Sequence, residues 1–411
     1  MPVVIVGGGI CGLTLALALD QRGIDCHVYE AAPDIKPLGV GISLLAHGTK
    51  ELMELGLRDA LQRVAVEFEE SCFFTSHGQL ILRDPASSQW PSFLIHRADL
   101  HEILLHAVYE RLGPEKVSLN HTFVSVHQTD DSAVAHFTPT VGDGGGHSTP
   151  GEAVIGCDGI HSAVRSEFYP DEGPPVFSGI NMWRGVSPHH PILSGGTHVR
   201  AGTLDTGKLV LYPIRKNIDD EGRQLLNWVV EVREANAAPA EWSAPGRLDE
   251  FAQLFDDWRF DWIDVPELLK GAQVILKYPM TDRDPLPRWT FDRVTLAGDA
   301  AHPMVPRGSN GAMQAILDAR VIADALAAEE TTAALRHYEK LRLPVANAVV
   351  LRNRVTPPDA LIQMVEDRTG GKPFDRIEDV ITEHELRGVL DDYKHLAGYS
   401  EDKLLAAARK K

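Results

Sequence analysis

Short apolar runs and a longer apolar segment alternate at the start of the chain. Val3 to Val6 is a run of β-branched residues, Leu13 to Leu19 is a longer apolar segment, and a second strand-like run ends at Glu30. Short apolar runs bounded by turn residues are typical of buried strands, and longer ones of helices. Residues 2–30 therefore predict a strand, a helix and a strand, the opening βαβ unit of a parallel sheet.

The pattern continues with helices and short strands up to about residue 112. Glu51 to Val64 and Leu100 to Leu112 carry apolar residues at helical spacing. Between them, three short apolar and aromatic runs predict strands: Cys72 to Phe74, Leu80 to Leu82 and Phe93 to Ile95. This alternation predicts a mixed α/β chain.

Separated strands dominate the middle of the chain. From Val176 to Arg283 aromatic residues concentrate, and strands are predicted at Met182 to Val186, Lys208 to Ile214, Leu225 to Val232 and Val274 to Tyr278. A helix is predicted from Gly311 to Ala328. Beyond Pro357-Pro358 the chain becomes a charge-rich helical tail without a repeat or heptad pattern.

Composition and charge narrow the class of protein. The 411 residues are 44% hydrophobic and 24% charged, which is typical of a soluble globular protein with two or more domains. A net charge of −18 argues against nucleic acid or an anionic membrane as a partner. No apolar run reaches the roughly 18 residues of a membrane helix. We expect a cytoplasmic protein, either a monomer or a homodimer.

The cysteines and common motifs exclude several kinds of chemistry. Cys11, Cys26, Cys72 and Cys157 lack CxxC spacing and stand among apolar or glycine residues. Buried reduced thiols are therefore favoured over disulfides or metal ligands, and no metal site is expected. The GxSxG, HExxH and GxxxxGK[ST] motifs are absent, which removes the common hydrolase, zinc protease and P-loop interpretations.

A glycine turn follows the first predicted strand. Its sequence is Gly7-Gly8-Gly9-Ile10-Cys11-Gly12. Gly7 permits the tight turn, Gly9 lets the backbone approach a pyrophosphate, and Gly12 allows close helix packing. The helix N-terminus adds partial positive charge, and Glu30 is placed to accept hydrogen bonds from ribose hydroxyls. This pattern by itself predicts only a dinucleotide.

Two later segments make the prediction more specific. They are Gly156-Cys157-Asp158-Gly159-Ile160-His161-Ser162-Ala163-Val164-Arg165 and Leu296-Ala297-Gly298-Asp299-Ala300-Ala301-His302-Pro303. With the glycine turn they resemble the class A flavoprotein monooxygenases, the single-component aromatic hydroxylases of the p-hydroxybenzoate hydroxylase type. The resemblance extends to about Arg354. It is nearest to the phenazine-1-carboxylate hydroxylase branch, on the strings Pro37-Leu38-Gly39-Val40-Gly41-Ile42, Met182-Trp183-Arg184-Gly185-Val186, Tyr278-Pro279-Met280 and Asp282-Arg283-Asp284-Pro285-Leu286-Pro287.

The resemblance implies a fold and its division into domains. The fold is α/β, with a Rossmann-like FAD-binding domain of the GR2 type, an inserted mainly β substrate domain and a C-terminal helical tail. The FAD-binding domain is expected at residues 1–71, 97–175 and 285–355. The substrate-binding sheet is expected at 72–96 and 176–284, and the helical tail at 356–411.

The resemblance also assigns residues to noncovalent FAD binding. Asp299 would accept a hydrogen bond from the ribityl chain, with a helix N-cap as the alternative. Arg97 would contact the ribityl or phosphate region unless it is an exposed helix-start arginine. Asp158 would serve FAD and the pyridine nucleotide unless it forms a buried salt bridge with Arg165. Gly41 lies where only a small residue lets the backbone approach the isoalloxazine.

A further glycine-containing segment precedes the long predicted helix. It is Pro306-Arg307-Gly308-Ser309-Asn310-Gly311, followed by Ala312. Free N–H groups at this helix start would stabilise negative charge on the reduced flavin, and an ordinary capped helix is the alternative. Arg307 has no general role in the family and either lies at the surface or reaches the substrate. His302 is interpreted as a structural residue.

Three residues are candidates for the substrate pocket. Arg184 stands in an apolar and aromatic strand, where a guanidinium needs an anion, either a structural carboxylate or a substrate carboxylate or phenolate. Tyr212 and His47 are candidates for orienting or deprotonating a substrate hydroxyl, with core packing as the alternative for each.

The activity implied by the resemblance is hydroxylation of a small aromatic or N-heteroaromatic acid or phenol, with or without loss of a carboxylate. FAD, reduced by NADH or NADPH, would react with O₂ to form a C4a-hydroperoxide that transfers oxygen to the ring. The alternatives are a flavin-dependent oxidoreductase without oxygen insertion and a nicotinamide dehydrogenase. The Asp299 and Pro306 to Gly311 segments disfavour the dehydrogenase.

Overall fold

The computed structural model describes residues 1–34, 40–86, 90–238 and 244–409. Pro37, Leu38 and Gly39 of the family-like string lie outside the described residues. The strands are β1 (Val3–Val6), β2 (Cys26–Tyr29), β3 (Gly41–Leu44), β4 (Val66–Glu67), β5 (Glu70–Phe74), β6 (Leu80–Pro85), β7 (Phe93–His96), β8 (Val117–Ser118), β9 (Thr122–Gln128), β10 (Ala133–Thr138), β11 (His147–Gly151), β12 (Ala153–Gly156), β13 (Val176–His189), β14 (Thr197–Thr203), β15 (Gly207–Arg215), β16 (Gln224–Arg233), β17 (Arg259–Phe260), β18 (Ile263–Asp264), β19 (Ile275–Asp282), β20 (Thr290–Phe291) and β21 (Val294–Leu296). The helices are α1 (Ile10–Asp20), α2 (Ala46–Glu54), α3 (Arg58–Val64), α4 (Arg97–Leu112), α5 (Ala163–Phe168), α6 (Val265–Lys270), α7 (Gly311–Ala328), α8 (Thr331–Val355), α9 (Ala360–Thr369), α10 (Glu383–Ala397) and α11 (Glu401–Arg409).

A six-stranded sheet forms around the first strand, in the order β20-β21-β12-β1-β2-β8. β1 pairs in parallel with β2 and β12, and β12 pairs in parallel with β21. The predicted βαβ unit is confirmed, and all four residues of β1 are buried. Parallel pairing places the ends of β1, β12 and β21 at one edge of the sheet, so the three motifs that follow these strands meet there.

A seven-stranded sheet has the order β19-β13-β16-β15-β14-β5-β6. β5 and β6 thus join strands that occur more than 100 residues later in the sequence, because β14 pairs in parallel with β5. β7 does not belong to this sheet: it pairs with β3 and β4 in a three-stranded sheet. The domain boundaries themselves remain a prediction.

The two faces of the seven-stranded sheet differ in chemistry, because successive side chains point to opposite sides. One face packs Trp183, Leu209, Trp228 and other apolar residues against α6. The opposite face carries polar side chains, among them Arg184 and Tyr212, and lines a cavity. The strand prediction for this region is confirmed, although β13 is longer than its predicted core.

Two helical segments differ from their sequence expectations. Glu51 to Val64, predicted as one helix, is broken into α2 and α3, and the single-helix prediction is wrong. Gly56, between them, has a φ of 78°, a left-handed conformation that ends α2. α7 has the predicted bounds. No helix among the described residues is long and apolar enough to cross a membrane.

The C-terminal segment is helical as predicted and packs on the rest of the protein. Leu361, Ile362 and Val365 of α9 join a buried cluster with Phe73 and Ile81 of the seven-stranded sheet. Tyr393 of α10 is fully buried and belongs to a cluster with Val349 of α8. The tail is therefore part of the molecule's core.

All four cysteines are buried, and none forms a disulfide. Burial raises the pKa of Cys26 and of Cys72 to about 12. These thiols are protonated at neutral pH. The burial and the free state of all four cysteines agree with the prediction of buried reduced thiols.

Candidate active site

A cavity of about 360 Å³ lies between the strand ends of the six-stranded sheet and the polar face of the seven-stranded sheet. Its wall includes most of the predicted cofactor residues and two of the three substrate candidates: Gly9, Ile10, Cys11, Gly41, Arg97, Asp299, Pro306, Gly311, Ala312, Arg184 and Tyr212. Gly7, Gly12, Glu30, Asp158, Gly308 and His47 are not among the residues that line it. The cavity size falls within the range of small-molecule sites.

The glycine turn has the geometry that its sequence suggests. Gly7 has a φ of 106°, and a Cβ added there would lie 2.5 Å from the carbonyl oxygen of Cys157. A Cβ added at Gly12 would lie 2.0 Å from the carbonyl oxygen of Gly7. Gly9, by contrast, has no atom within 4 Å of an added Cβ. The turn is therefore tight on its protein side and open where Gly9 faces the cavity.

Glu30 holds the glycine turn directly. Its carboxylate accepts hydrogen bonds from the N–H of Gly8 at 2.6 Å and from the N–H of Ala32 at 2.8 Å. A carboxylate has lone pairs for further bonds, so these contacts leave acceptor capacity for a ribose. The predicted ribose contact remains a prediction, and the structure adds a positioning role.

Asp299 lies in a short 3₁₀ turn after β21, and its side chain is exposed to the cavity. It is not the N-cap of a helix: that position of the turn is Ala297, and the N-cap of α7 is Asn310. Its depth in the molecule raises the pKa of the carboxyl, and His302 and Arg97 oppose the increase.

The loop that carries Asp299 is fixed by two buried contacts. Arg165 donates hydrogen bonds to the carbonyls of Ala300 and Ala301, each at 3.1 Å, and forms an ion pair with Glu172. Behind the loop, the His302 imidazole contacts the Asp318 carboxylate at 2.5 Å. The structural interpretation of His302 agrees with this contact.

Asp158 and Arg165 do not pair with each other. Asp158 accepts hydrogen bonds from the Ser162 hydroxyl at 2.5 Å and from the Val164 N–H at 3.1 Å, at the start of α5. The alternative of an Asp158–Arg165 salt bridge is therefore wrong. Asp158 shapes the loop after β12, whose residues 157 and 159–161 line the cavity.

Position 41 is a glycine because neighbouring side chains leave no room for a Cβ. An added Cβ would lie 2.7 Å from Ile214, 2.7 Å from the Tyr212 ring and 2.8 Å from the Asn227 side chain. The Gly41 N–H also donates to the Asn227 side-chain oxygen at 2.7 Å. Contact with the seven-stranded sheet thus requires glycine here, independently of any approach to a flavin.

Arg97 is the first residue of α4 and lines the cavity. Burial lowers the pKa of its guanidinium, while Asp299 opposes the decrease. The side chain is half-buried, so the structure does not support the alternative of an exposed arginine at the helix start.

The segment before α7 brings a helix N-terminus to the cavity. Ser309, Asn310, Gly311 and Ala312 line the wall, and α7 has no acidic residue in its first turn. Its unpaired N–H groups and helix dipole therefore present positive potential there. Gly308 lies behind, where an added Cβ would meet the Tyr393 hydroxyl at 1.6 Å.

Arg184 lies at the opposite side of the cavity. Its guanidinium donates to the Tyr278 hydroxyl at 2.5 Å and to the Gly41 carbonyl at 2.9 Å, and its Nε has no partner among the described residues. Burial would lower the pKa of Arg184, but Tyr278 and Tyr212 raise it above its usual value. The partners described here are neutral groups, so the alternative of a structural carboxylate is not supported.

Two cavity residues were missed by the sequence analysis. His198 is 3% exposed, stacks on Tyr212 with ring centres 4.8 Å apart, and has a buried Nδ1 without a described partner. Burial, with help from Arg200, lowers the pKa of His198 well below its usual value, so the imidazole is neutral. Glu231 also lines the wall. The alternation of His198 and Arg200 with Val199 and Ala201 was the available signal.

His47 is buried behind the cavity wall. Its Nε2 contacts the Asn310 side-chain oxygen at 3.0 Å, and its ring stacks on Tyr399 with centres 5.0 Å apart. Burial lowers the pKa of His47 to about 3. The structure places it as a support for Asn310, which does line the cavity.

The residues present fit an elongated dinucleotide that ends in a flavin. The open position at Gly9 and the N-terminus of α1 suit a pyrophosphate, because both offer room and N–H donors. Asp299 offers an acceptor for hydroxyls, and the N-terminus of α7 offers positive potential farther along the same wall. Donors, acceptors and space therefore agree with FAD.

Comparison with known proteins also indicates FAD binding. The family described as "FAD binding domain" matches residues 1–184 and 273–353. Phenazine 1,6-dicarboxylic acid hydroxylase PhzS from Lysobacter antibioticus is 39% identical over 86% of this chain and 89% of its own length. 3-Amino-4-hydroxybenzoate 2-monooxygenase PtmB3 from Streptomyces platensis is 35% identical, covering 89% of this chain and 91% of its own.

Solved structures resemble the fold over nearly the whole chain. Klebsiella pneumoniae HpxO complexed with FAD and uric acid has a TM-score of 0.72 and 22% identity, over 99% of this chain and 95% of its own. A salicylate hydroxylase substrate complex has a TM-score of 0.70 and 22% identity, over 97% of each chain.

Proposed function

The chain belongs to the FAD-dependent class A aromatic monooxygenases, and from that membership we propose that it hydroxylates an aromatic or N-heteroaromatic acid or phenol, with NADH or NADPH as electron donor. The relatives named above act on aromatic carboxylic acids, by their names, which supports an acid as the substrate class.

One observation carries the proposal. Arg184, a cation whose described partners are neutral, lines the same cavity as Asp299 and the N-terminus of α7. A guanidinium in such a wall binds a carboxylate or phenolate through its planar N–H groups. An anionic ring held by Arg184 would therefore face the part of the cavity that suits the flavin.

Bound FAD would supply the oxygen chemistry: with two electrons from NADH or NADPH, one atom of O₂ is transferred to the ring and the other leaves as water. Asp299, Arg97 and the Gly9 backbone would hold the cofactor, and the N-terminus of α7 would stabilise negative charge on it. Arg184 would orient the ring, which supplies much of the rate gain in such reactions. His198 offers a neutral imidazole, whose ring nitrogen can accept a hydrogen bond from a ring hydroxyl.

A screen of aromatic acids, phenols and N-heterocycles tests the proposal. Purified holoenzyme is mixed with each compound and NADH or NADPH, and cofactor oxidation, O₂ consumption and product mass are measured. We expect at least one aromatic acid to accelerate oxidation and to gain one oxygen atom. Stimulated oxidation without a mass change would favour an oxidoreductase that inserts no oxygen. A colourless protein without FAD would contradict both.

A further inference from the structure

A second cavity, of about 540 Å³, lies along the same polar face of the seven-stranded sheet. Its wall combines apolar residues with charged ones, and it is closed by the start of α9 and the end of α8: Val176, Ser178, Ile180, Gly202, Thr203, Leu204, Lys208, Arg233, Met280, Asp282, Val305, Arg307, Asn353, Arg354, Val355, Pro357, Asp359, Ala360 and Gln363. None of these residues lines the first cavity.

The two cavities are neighbours, separated by about one layer of side chains. On β13, Ile180 lines the second cavity and Met182 lines the first. On β15, Lys208 lines the second cavity and Val210 lines the first. Neighbouring residues on β16, on β19 and in the loop after β21 also line different cavities. In each pair the first residue lines the second cavity and the other lines the first cavity: Arg233 and Glu231, Met280 and Tyr278, Val305 and Met304. Residues two apart on one face of a strand are about 7 Å apart, so the partition is thin.

The partition contains movable groups. Met182 and Met280 have unbranched, flexible side chains that adapt their shape at low cost. Beside them the Lys208 ammonium lies 2.8 Å from Glu231 and also pairs with Asp359. Because Lys208 has two carboxylate partners, it can keep one while the other contact opens.

The wall of the second cavity suits an aromatic anion. Four cations, Lys208, Arg233, Arg307 and Arg354, line it together with two carboxylates, Asp282 and Asp359. Arg307 pairs with Asp359 at 3.2 Å and Arg354 with Asp282 at 2.7 Å, so each of these groups offers a ligand only its remaining donors or acceptors. Arg307 keeps one buried N–H, at Nε, without a described partner, and Asp359 keeps Oδ1 as a free buried acceptor. A carboxylate can accept from the Arg307 N–H, and a hydroxyl or ring N–H can donate to Asp359.

We propose that the second cavity is a transient binding site for the aromatic acid substrate, on its route from solvent to the flavin. This inference rests on the proposed function. Arg233, whose side chain is 63% exposed and forms a 3.5 Å ion pair with Asp205, attracts the anion at the mouth. Arg307 and Asp359 hold it inside, and displacement of Met182 and Met280 admits it to the first cavity.

Stopped-flow measurement of the flavin absorbance change tests the route, with phenazine-1-carboxylate and 3-hydroxybenzoate as probes. Leu204→Trp fills part of the second cavity. We expect the association and dissociation rate constants to fall together, each about tenfold, while the equilibrium Kd of the first cavity stays within twofold. Leu254→Trp makes the same change at a 40% exposed position outside both cavities and is the control.

A charge variant gives an independent test if Leu204→Trp loses FAD. Arg233→Gln is expected to slow association about threefold at low salt and to weaken its salt dependence. Arg336→Gln, at a side chain that is 65% exposed, is the matched control and should leave both unchanged. Parent-like rates in an FAD-loaded Leu204→Trp protein, or in Arg233→Gln, would reject the route while leaving the proposed function intact. If no aromatic acid of the screen perturbs the parent's flavin, the aromatic-acid proposal fails and this inference fails with it.

Discussion

Asp299 can be tested without disturbing its surroundings, because other residues hold its loop. Arg165 donates to two carbonyls of the loop, and His302 pairs with Asp318 behind it. We expect Asp299→Ala to fold normally but to bind FAD about 10- to 150-fold more weakly, the effect of losing a hydrogen bond to a charged group, about 1.5–3 kcal/mol. Fluorescence titration of the apoprotein measures the Kd. Asp292→Ala, at an exposed carboxylate, is the control, and an equal Kd in both variants would contradict the role.

Arg184 is the residue on which substrate recognition depends. Arg184→Met keeps the apolar stem but removes the charge and the planar donors. We expect the variant to keep FAD, to bind an anionic substrate about 10- to 100-fold more weakly, and to release more hydrogen peroxide per NAD(P)H oxidised. Tyr278→Phe removes the hydroxyl that accepts from Arg184 but keeps the cation, and it should retain most of the coupling. Parent-like affinity and coupling in a stable Arg184→Met protein would show that the anion binds elsewhere.

Among single residues, the sequence predicted best those whose roles depend on local backbone geometry. Gly7 and Gly12 lie in short motifs whose geometry is set locally, so their positions and reasons agree with the structure. His198 was missed because its place at the cavity depends on which face of β14 turns inward, a tertiary property. For His47 the structure agrees with the core-packing alternative, because its buried ring stacks on Tyr399. The sequence gives no indication of that particular contact.

α10 and the segment before α7 act as one unit. The Tyr393 hydroxyl donates to the Asn353 side chain at 2.6 Å and accepts from the Asn310 amide at 3.2 Å, and Asn310 lines the first cavity. Gln314 of α7 also donates to the carbonyl of Ala397, at the end of α10, at 3.0 Å. The C-terminal tail therefore positions the helix start that is proposed to face the flavin.

Tyr393→Phe tests this coupling with a minimal change. It removes two hydrogen bonds, so we expect the free energy of unfolding to fall by about 1–3 kcal/mol and FAD affinity to fall as well. Tyr169→Phe, which removes a hydroxyl bonded to the Arg288 carbonyl, is the control. Both variants should lose stability in urea titrations, but only Tyr393→Phe should lose FAD affinity. Equal FAD affinity in the two would limit Tyr393 to a structural role.

Elements were predicted best where their pattern is local. α7 and six strands of the seven-stranded sheet follow from apolar spacing, whereas β14 (Thr197–Thr203) was not predicted. The break at Gly56 depends on one backbone conformation. The tail shows the limit most clearly: its sequence is charge-rich and without motifs, and its contact with Asn310 arises only when α10 packs on α8. Helical periodicity identifies a helix but not its neighbours.

Across the whole molecule, buried neutral histidines make stability depend on pH. Burial lowers the pKa of His47 to about 3, and that of His198 well below its usual value. Between about pH 6.5 and 3 the unfolded chain binds protons that the folded chain does not, so the free energy of unfolding falls as pH falls. For His47 alone the loss at pH 5 is about 2 kcal/mol relative to pH 8.

Urea unfolding at pH 8, 6 and 5 measures this dependence. His47→Gln should flatten the curve by about that amount, because glutamine does not titrate. His106→Gln, at a histidine whose side chain is 68% exposed, is the control for removing a surface imidazole. A slope in His47→Gln equal to the parent's would mean that the His47 ring is protonated in the folded protein.

The parallel pairing of β5 with β14 sets an order of events during synthesis. The Thr197 hydroxyl donates to Glu70, which precedes it by 127 residues, where β14 joins β5 and β6 to the other strands of the seven-stranded sheet. At roughly 5–20 residues per second, the ribosome needs on the order of 6–25 s to make the chain between them. During that interval β5 and β6 have an open edge that carries Cys72, Phe73 and Phe74, side chains that end up buried. The nascent chain should therefore be a chaperone client at this length, and release from the chaperone should follow translation of β14.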